Sequence, residues 1–185
     1  MNNGYNTIGL GKIYHGNSGP GVDPQNWSQW VKPKNVPHYA KKGNIEALNK
    51  AIKENKVGDN KDRPKGLLTE SADVHDDTYT DGQTTTKAIE ILKGLSQKKN
   101  KPFFLAIGLT KPHLPFVAPK KYWDLYNREE FKMPANKNIP LGYPVYAANQ
   151  FAYEMHKYSD FEGKSPKDFS DDFNKRLLHG YAACT

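Results

Sequence analysis

Apolar residues fall into a few short runs along the chain, parted by long polar stretches. The densest run is FFLAIGL, Phe103 to Leu109, continuous rather than alternating. A continuous run of this length predicts a strand buried on both faces, of the kind that helices cover on either side of a parallel sheet. A second strand is predicted from Thr7 to Tyr14. Elsewhere the period lengthens to three or four. Ala88, Ile91, Leu92 and Leu95 share one face of a helix predicted over Thr84 to Lys99, with Asp81 or Thr84 as its cap and Asn100 as its end. Shorter helices are predicted near Ile45 to Asn55 and over Pro119 to Tyr126, the latter turning Trp123 and Leu125 inward. Phe169, Phe173, Leu177, Tyr181 and Cys184 predict an amphipathic helix opened by Ser165-Pro166, with Asp171 and Asp172 favouring its N-terminal turns. The stretches 16–80 and 127–164 are rich in Gly, Pro, Asn and Lys and read mostly as loop, broken in the second by Pro134, Pro140 and Pro144. Trp27, Trp30 and Tyr39 are expected to pack the first of them.

A strand, a crossover containing a helix, then an apolar strand is an α/β pattern with parallel pairing. In such sheets a ligand site lies off the carboxyl ends of the strands, so the residues just after each strand carry the interest. Both chain ends look interior to something longer. Asn3-Gly4 has the form of a helix C-cap with no helix before it, and the last apolar stripe runs to Thr185 without a cap. Residues 1–185 are therefore expected to form one incomplete domain.

Composition narrows the class. The chain is 36% hydrophobic and 25% charged, too apolar for a disordered chain and too polar for a membrane protein. No run approaches the ~18 apolar residues of a membrane span. Met1 to Tyr5 lacks the basic and apolar regions of a signal peptide. Cys184 is the single cysteine, which leaves no internal disulfide and no cysteine-based zinc site. There are 27 Lys and Arg, three of them arginine, against 20 Asp and Glu, for a net charge of +7. A lysine-rich surface concentrates anions of any kind, from acidic polysaccharide to small oxyanions, or is simply solvated. No nucleic-acid-binding motif is present.

Candidate chemistry sits where the fold pattern points. The first strand runs into GLGKIYHG, which holds Lys12 and His15 between Gly11 and Gly16. The second runs into LTKPHLPF, which holds Lys111 and His113. Two lysines and two imidazoles meeting at one sheet edge would form a cationic pocket for a tetrahedral oxyanion, sulfate or phosphate. Lysine offers a point charge with three donors, and histidine can hold an oxygen or deliver a proton to a leaving group. Pro112 and Pro115 stiffen the loop on both sides of His113, which suits a side chain that must be held in place. The plainer reading makes His113 a packed loop residue and Lys12 and His15 ordinary strand-end residues. His38, His75, His156 and His179 stand in polar or helical contexts. Asp73, Asp76, Asp77 and Asp81 read as solvated loop carboxylates before they read as a cation site.

These segments together carry a resemblance. GKIYH after a strand, the helix TTTKAIEILKGL, KPFFLAIGLTKPHLPFVAPKKYWDLY and the closing RLLHGYAACT are similar to the sulfatase family, and within it to the iduronate-2-sulfatase-like branch. The likeness is strong from Asp81 to Tyr126 and good from Gly4 to His15. It implies an alkaline-phosphatase-like α/β/α sandwich with a mainly parallel central sheet. It implies hydrolysis of sulfate esters of a sulfated carbohydrate, such as an iduronate-2-sulfate, in an exported or lysosomal enzyme. By the same resemblance Lys12 would bind sulfate, and His15 would support the hydrate of a formylglycine nucleophile. His113 would contact sulfate or protonate the leaving oxygen, and Lys111 would adjoin it in the substrate site. The formylglycine arises in a C/S-x-P-x-R motif, which these residues lack. The calcium ligands of the family are expected outside them as well, so no metal ligand is assigned here. A phosphatase or phosphonate hydrolase of the same superfamily, and a non-catalytic module for anionic glycans, remain as alternatives.

Overall fold

The computed structural model describes residues 3–15, 23–34, 36–54, 66–97, 101–136, 138, 141–144, 154–161 and 169–185. Gly16, Asn100, Pro140 and the expected helix opening at Ser165-Pro166 lie outside the described residues. In chain order the elements are β1 (Asn6–Gly11), β2 (Gln29–Val31), α1 (Lys42–Glu54), β3 (Thr69–Ala72), α2 (Thr80–Ser96), β4 (Phe103–Gly108), β5 (Phe116–Pro119), α3 (Lys120–Trp123) and α4 (Asp171–Ala183). The chain is α/β and its strand pairs are parallel, as the pattern predicts, but they form two sheets. Two compact units hold them: residues 1–38 with 74–111, and residues 39–73 with 112–185.

The first unit is a three-stranded sheet in the order β2-β1-β4 with α2 packed on β1 and β4. Ile8 and Leu10 of the central strand are buried. Gly9 is bare for a reason of space. A Cβ there would come within 2.6 Å of the Trp30 ring and 2.9 Å of Trp27, so glycine lets both indoles lie against the strand. The expected packing role of these two tryptophans is what the structure shows. Strand β4 ends one residue before the expected boundary. Its burial departs from expectation: Phe103, Phe104 and Ile107 are 41%, 55% and 44% exposed. The run was expected to be covered on both faces. It instead forms an edge of the sheet, with α2 its helical neighbour among the described residues. Helix α2 starts at Thr80, four residues ahead of the expected Thr84, with Tyr79 in the cap position and no side-chain cap. Thr84 and Ala88 are buried, and Ile91 and Leu95 half-buried. Leu92 is exposed, against expectation. At 100° per residue it sits about 80° around the helix from Thr84, off the line that faces the sheet.

In the second unit β3 pairs with β5, register Thr69 to Phe116 through Ala72 to Pro119. Leu68, Tyr158 and Phe161 are fully buried, and Leu114, Met155, Phe169, Phe173 and Leu177 pack around them. Burial on this scale contributes roughly 2 kcal/mol per large apolar side chain. A second cluster joins Ala118, Trp123 and Ala183, with Cys184 against it. The stripe on α4 thus divides between two clusters, and Tyr181 is half exposed with its ring edge-on to Phe116 at 5.9 Å. The helix begins at Asp171 with Ser170 as its cap, the hydroxyl accepting from the Phe173 N–H at 3.1 Å. It ends at Ala183 with Cys184 as C-cap. Helix α3 is shorter than expected. It stops at Trp123, so helical spacing no longer governs Leu125, which is 70% exposed rather than inward.

Strands β2 and β3 both fall in the stretch expected as loop. They are three and four residues long, and β3 reads TESA with a glutamate at its centre. That glutamate, Glu70, is 3% exposed. Its carboxylate accepts from the backbone N–H groups of Ala40 and Lys41 at 2.7 and 3.0 Å and from Asn44 Nδ2 at 2.7 Å. It therefore caps α1 from a strand, which starts the helix at Lys42, three residues before the expected Ile45. Asp160 works in the same way: one oxygen accepts from the Leu68 N–H and the other from Arg176.

Candidate functional site

Strands β1 and β4 run side by side from Asn6↔Phe103 to Gly11↔Gly108, so their carboxyl ends coincide. The chain leaves β1 through Gly11 at φ +76°, a left-handed conformation that favours glycine. A Cβ at Gly11 would lie 2.0 Å from the Gly108 carbonyl oxygen, and one at Gly108 would lie 2.2 Å from the Lys12 carbonyl. The two glycines permit this crossing of backbones, and the Lys12 N–H donates to the Gly108 carbonyl at 2.7 Å. The same turn ends β1 at Gly11, three residues before the expected Tyr14. Lys12 therefore stands at the shared carboxyl edge of two parallel strands.

The loop after β1 is anchored by Tyr14. Its hydroxyl donates to Asp23 Oδ2 at 3.0 Å and accepts from Trp27 Nε1 at 2.6 Å. Its ring meets Trp27 and Trp30 at centroid distances of 6.4 and 5.7 Å. Asp23 in turn accepts from Gln25 and Asn26. With Tyr14 fixed, Lys12 and His15 on either side of it remain exposed to solvent. Lys12 Nζ donates to the Tyr14 carbonyl at 3.3 Å, a bond within its own turn that a bound anion can replace.

Lys111 lies just past β4 and is half-buried. Its backbone N–H donates to Asp81 Oδ2 at 2.8 Å, and the Thr110 N–H donates to both Asp81 oxygens at 2.9 and 3.0 Å. Lys12, His15 and Lys111 thus belong to the first unit, and the carboxyl edge of β1 and β4 brings the two lysine-bearing loops together. His113 belongs to the second unit. Its ring is about half exposed. Nδ1 lies 2.7 Å from the Leu114 carbonyl oxygen, which can only accept, so that nitrogen carries a proton. Nε2 is the nitrogen left to exchange one, and Glu154 Oε2 lies 3.3 Å from it. The Leu114–Pro115 peptide after it is cis.

Other candidates take structural places. His179 is buried with Nε2 2.8 Å from the Trp123 carbonyl and Nδ1 3.5 Å from Arg128 Nε. A ring with its proton on Nε2 satisfies both neighbours. Tyr39 is buried and donates to the Leu67 carbonyl at 2.6 Å. Burial first, then the charges of Asp160 and Glu70, push its phenol well above its ordinary pKa. Among the described residues no three His, Cys, Asp or Glu side chains converge as a metal set. The described residues therefore do not by themselves make a calcium site.

Two features of this edge are not legible in the sequence pattern: one is a lysine pair, the other the role of Asp81. Lys32 and Lys34 follow β2 directly and line a cavity of about 250 Å³ with Gln83, Thr86, Lys87 and Glu90. A three-residue strand leaves no periodic signal that would mark them. Asp81 is the other. A carboxylate in the first turn of a helix reads by default as a capping or dipole residue, whereas its hydrogen bonds reach residues 29 and 30 positions further on.

No protein-family model matches the chain. Among curated proteins it is 27% identical to the iduronate 2-sulfatase of Mus musculus, over 98% of this chain and 32% of that protein. It is 33% identical to the iduronate 2-sulfatase of Homo sapiens, over 80% of this chain and 26% of that protein. It is also 39% identical to the multifunctional alkaline phosphatase superfamily protein PehA of Trinickia caryophylli, over 30% of this chain and 10% of that protein. The chain spans about a third or less of the length of these relatives.

Proposed function

We propose, from the premise that the chain belongs to the sulfatase family and to its iduronate-2-sulfatase-like branch, that it forms part of a sulfuric ester hydrolase. In this reading residues 1–185 supply one side of a sulfate pocket within one incomplete catalytic domain. Lys12 gives the sulfate a point charge at the carboxyl edge of the sheet. Lys111 adds a second ammonium from the adjacent strand end. His15, exposed beside Tyr14, hydrogen-bonds the reacting group. His113, a residue of the second unit, is assigned by family resemblance to contact sulfate or protonate the departing oxygen. The observation that carries the reading is the pairing of β1 and β4 through Gly11 and Gly108, which delivers Lys12 and Lys111 from adjacent strand ends. Parallel sheets of α/β proteins take their ligands at that edge.

By family resemblance, calcium would supply polarisation of the sulfate and a formylglycine would supply the nucleophile, and none of the described residues is assigned to hold either. Residues 1–185 hold no C/S-x-P-x-R motif, so the roles assigned here are confined to binding and proton transfer. The two iduronate 2-sulfatase relatives favour a sulfated carbohydrate of the iduronate-2-sulfate type, and the net charge of +7 agrees in sign with such a polyanion. An exported or lysosomal setting goes with that substrate. The similarity to PehA, a multifunctional member of the alkaline phosphatase superfamily, favours a second reading, a phosphatase or phosphonate hydrolase of that superfamily.

The test is substitution in the natural full-length polypeptide with an aryl sulfate as substrate. Lys12→Ala and His113→Ala are each expected to lower kcat/KM by on the order of 10²-fold or more, with circular dichroism unchanged. Wild-type turnover in both variants would rule out the assigned roles.

A further inference from the structure

We infer that Asp81 is a positioning residue for Lys111, and that the N-terminal turns of α2 register both loops of the proposed site. The inference rests on the sulfate-pocket reading above and adds a residue to it. Asp81 occupies the first turn of α2, yet its carboxylate does not cap that helix. Both oxygens turn instead to the end of β4, where they accept from the N–H groups of Thr110 and Lys111 at 2.8 to 3.0 Å. Beyond Gly108 the ladder with β1 has ended, so these two donors have left the sheet, and the carboxylate replaces its partners. Hydrogen bonds to a charged acceptor are the stronger kind. Two amides on one carboxylate fix both the height and the direction of the backbone that bears the Lys111 side chain.

The helix end that carries Asp81 is itself seated. Gly82 lies so close to the turn at Asp76–Thr78 that a Cβ on it would fall 1.8 Å from the Asp76 carbonyl oxygen. Gln83 donates to the Asp77 carbonyl from the same side. Thr84, one turn on, is 1% exposed, and its methyl lies 2.9 Å from where a Gly11 Cβ would be. Residues 81 to 84 therefore touch the ends of both strands: the Gly11 turn that leads to Lys12, and the Thr110–Lys111 backbone. A shift of α2 along its axis moves both loops at once.

The test is a double-mutant cycle in the natural full-length polypeptide, with Asp81→Ala, Lys111→Ala and the double variant. Turnover of an aryl sulfate and its inhibition by inorganic sulfate are the probes, with amide hydrogen exchange at Thr110 and Lys111 alongside. Alone, Asp81→Ala is expected to cost on the order of 10²-fold in kcat/KM, to weaken sulfate inhibition, and to speed exchange at those two amides. In the Lys111→Ala background the same substitution is expected to change kcat/KM by less than about threefold, because the group it positions is gone. Asp81→Asn keeps one carbonyl acceptor and is expected to fall between; it carries the cycle if the alanine variant does not fold. Losses that multiply in the double variant, or amides that exchange as before, overturn the positioning role while leaving the hydrolase reading in place. An unsubstituted protein that neither hydrolyses the sulfate ester nor is inhibited by sulfate overturns the hydrolase reading, and this inference with it.

Discussion

Tyr39 and Tyr158 show how single residues bind the second unit's stability to pH. Both rings are almost fully buried. Tyr39 donates to the Leu67 carbonyl. Burial is the main cause that raises each phenol's pKa. The charges of Asp160 and Glu70 add to it at Tyr39, and those of Glu154, Tyr39 and Asp160 at Tyr158. A phenol raised in the folded state keeps its proton when the unfolded chain has lost it. The stabilising contribution is thus fully present below the ordinary phenol pKa of about 10 and is lost as pH rises past it. Through these two groups the urea midpoint is expected not to vary with pH between about pH 7 and 9 and to fall above about pH 10. Tyr39→Phe and Tyr158→Phe should each flatten that alkaline fall; a slope unchanged in both variants would contradict the account. At this scale the sequence was informative where a residue's neighbours in the chain set its role. Lys12, His15, Lys111 and His113 stand out because glycine, proline and a strand end flank them. Glu70 and Asp81 do not, because each carboxylate answers N–H groups some 30 positions away.

The element that decides the site is the crossing of β1 and β4. Its Gly11 carries two constraints together, a φ of +76° and a Cβ position 2.0 Å from the Gly108 carbonyl. Alanine there meets the left-handed penalty of about 1–2 kcal/mol and a backbone clash. Gly11→Ala is expected to lower stability by at least about 2 kcal/mol in urea titration and to impair the turn that sets Lys12. An alanine variant as stable and as active as the parent would show that the backbones do not approach in this way. Elements were legible in proportion to length and periodicity. Strand β4 and the core line of α2 follow from an apolar run and a 3.6-residue period. Strands β2 and β3 do not, being too short for a period and, in β3, centred on a buried glutamate whose partners lie outside the strand. The exposure of β4 departs from its apolar pattern for a related reason. A continuous apolar run states what a strand can tolerate on its two faces, whereas Phe104 and Ile107 are left exposed by what packs there.

At the scale of the whole molecule the chain joins two compact α/β units, and the chain passes from the first to the second between Lys111 and Pro112, inside the TKPHLPF loop. The stiff loop that the sequence marks as the place to look is thus also a junction between units, a property that local pattern does not encode. The proposed activity is hydrolysis of sulfate esters at the strand edge that carries Lys12 and Lys111. Sulfate and phosphate monoesters are both tetrahedral oxyanions, so their relative turnover separates the two readings. The most direct measurement is kcat/KM of the natural full-length polypeptide for an aryl sulfate against the matched aryl phosphate. The sulfate is expected to be preferred by at least about tenfold, which is about 1.4 kcal/mol in the transition state. A preference for the phosphate would contradict the proposed activity and move the protein to the phosphatase reading; hydrolysis of neither would remove it from ester hydrolysis altogether.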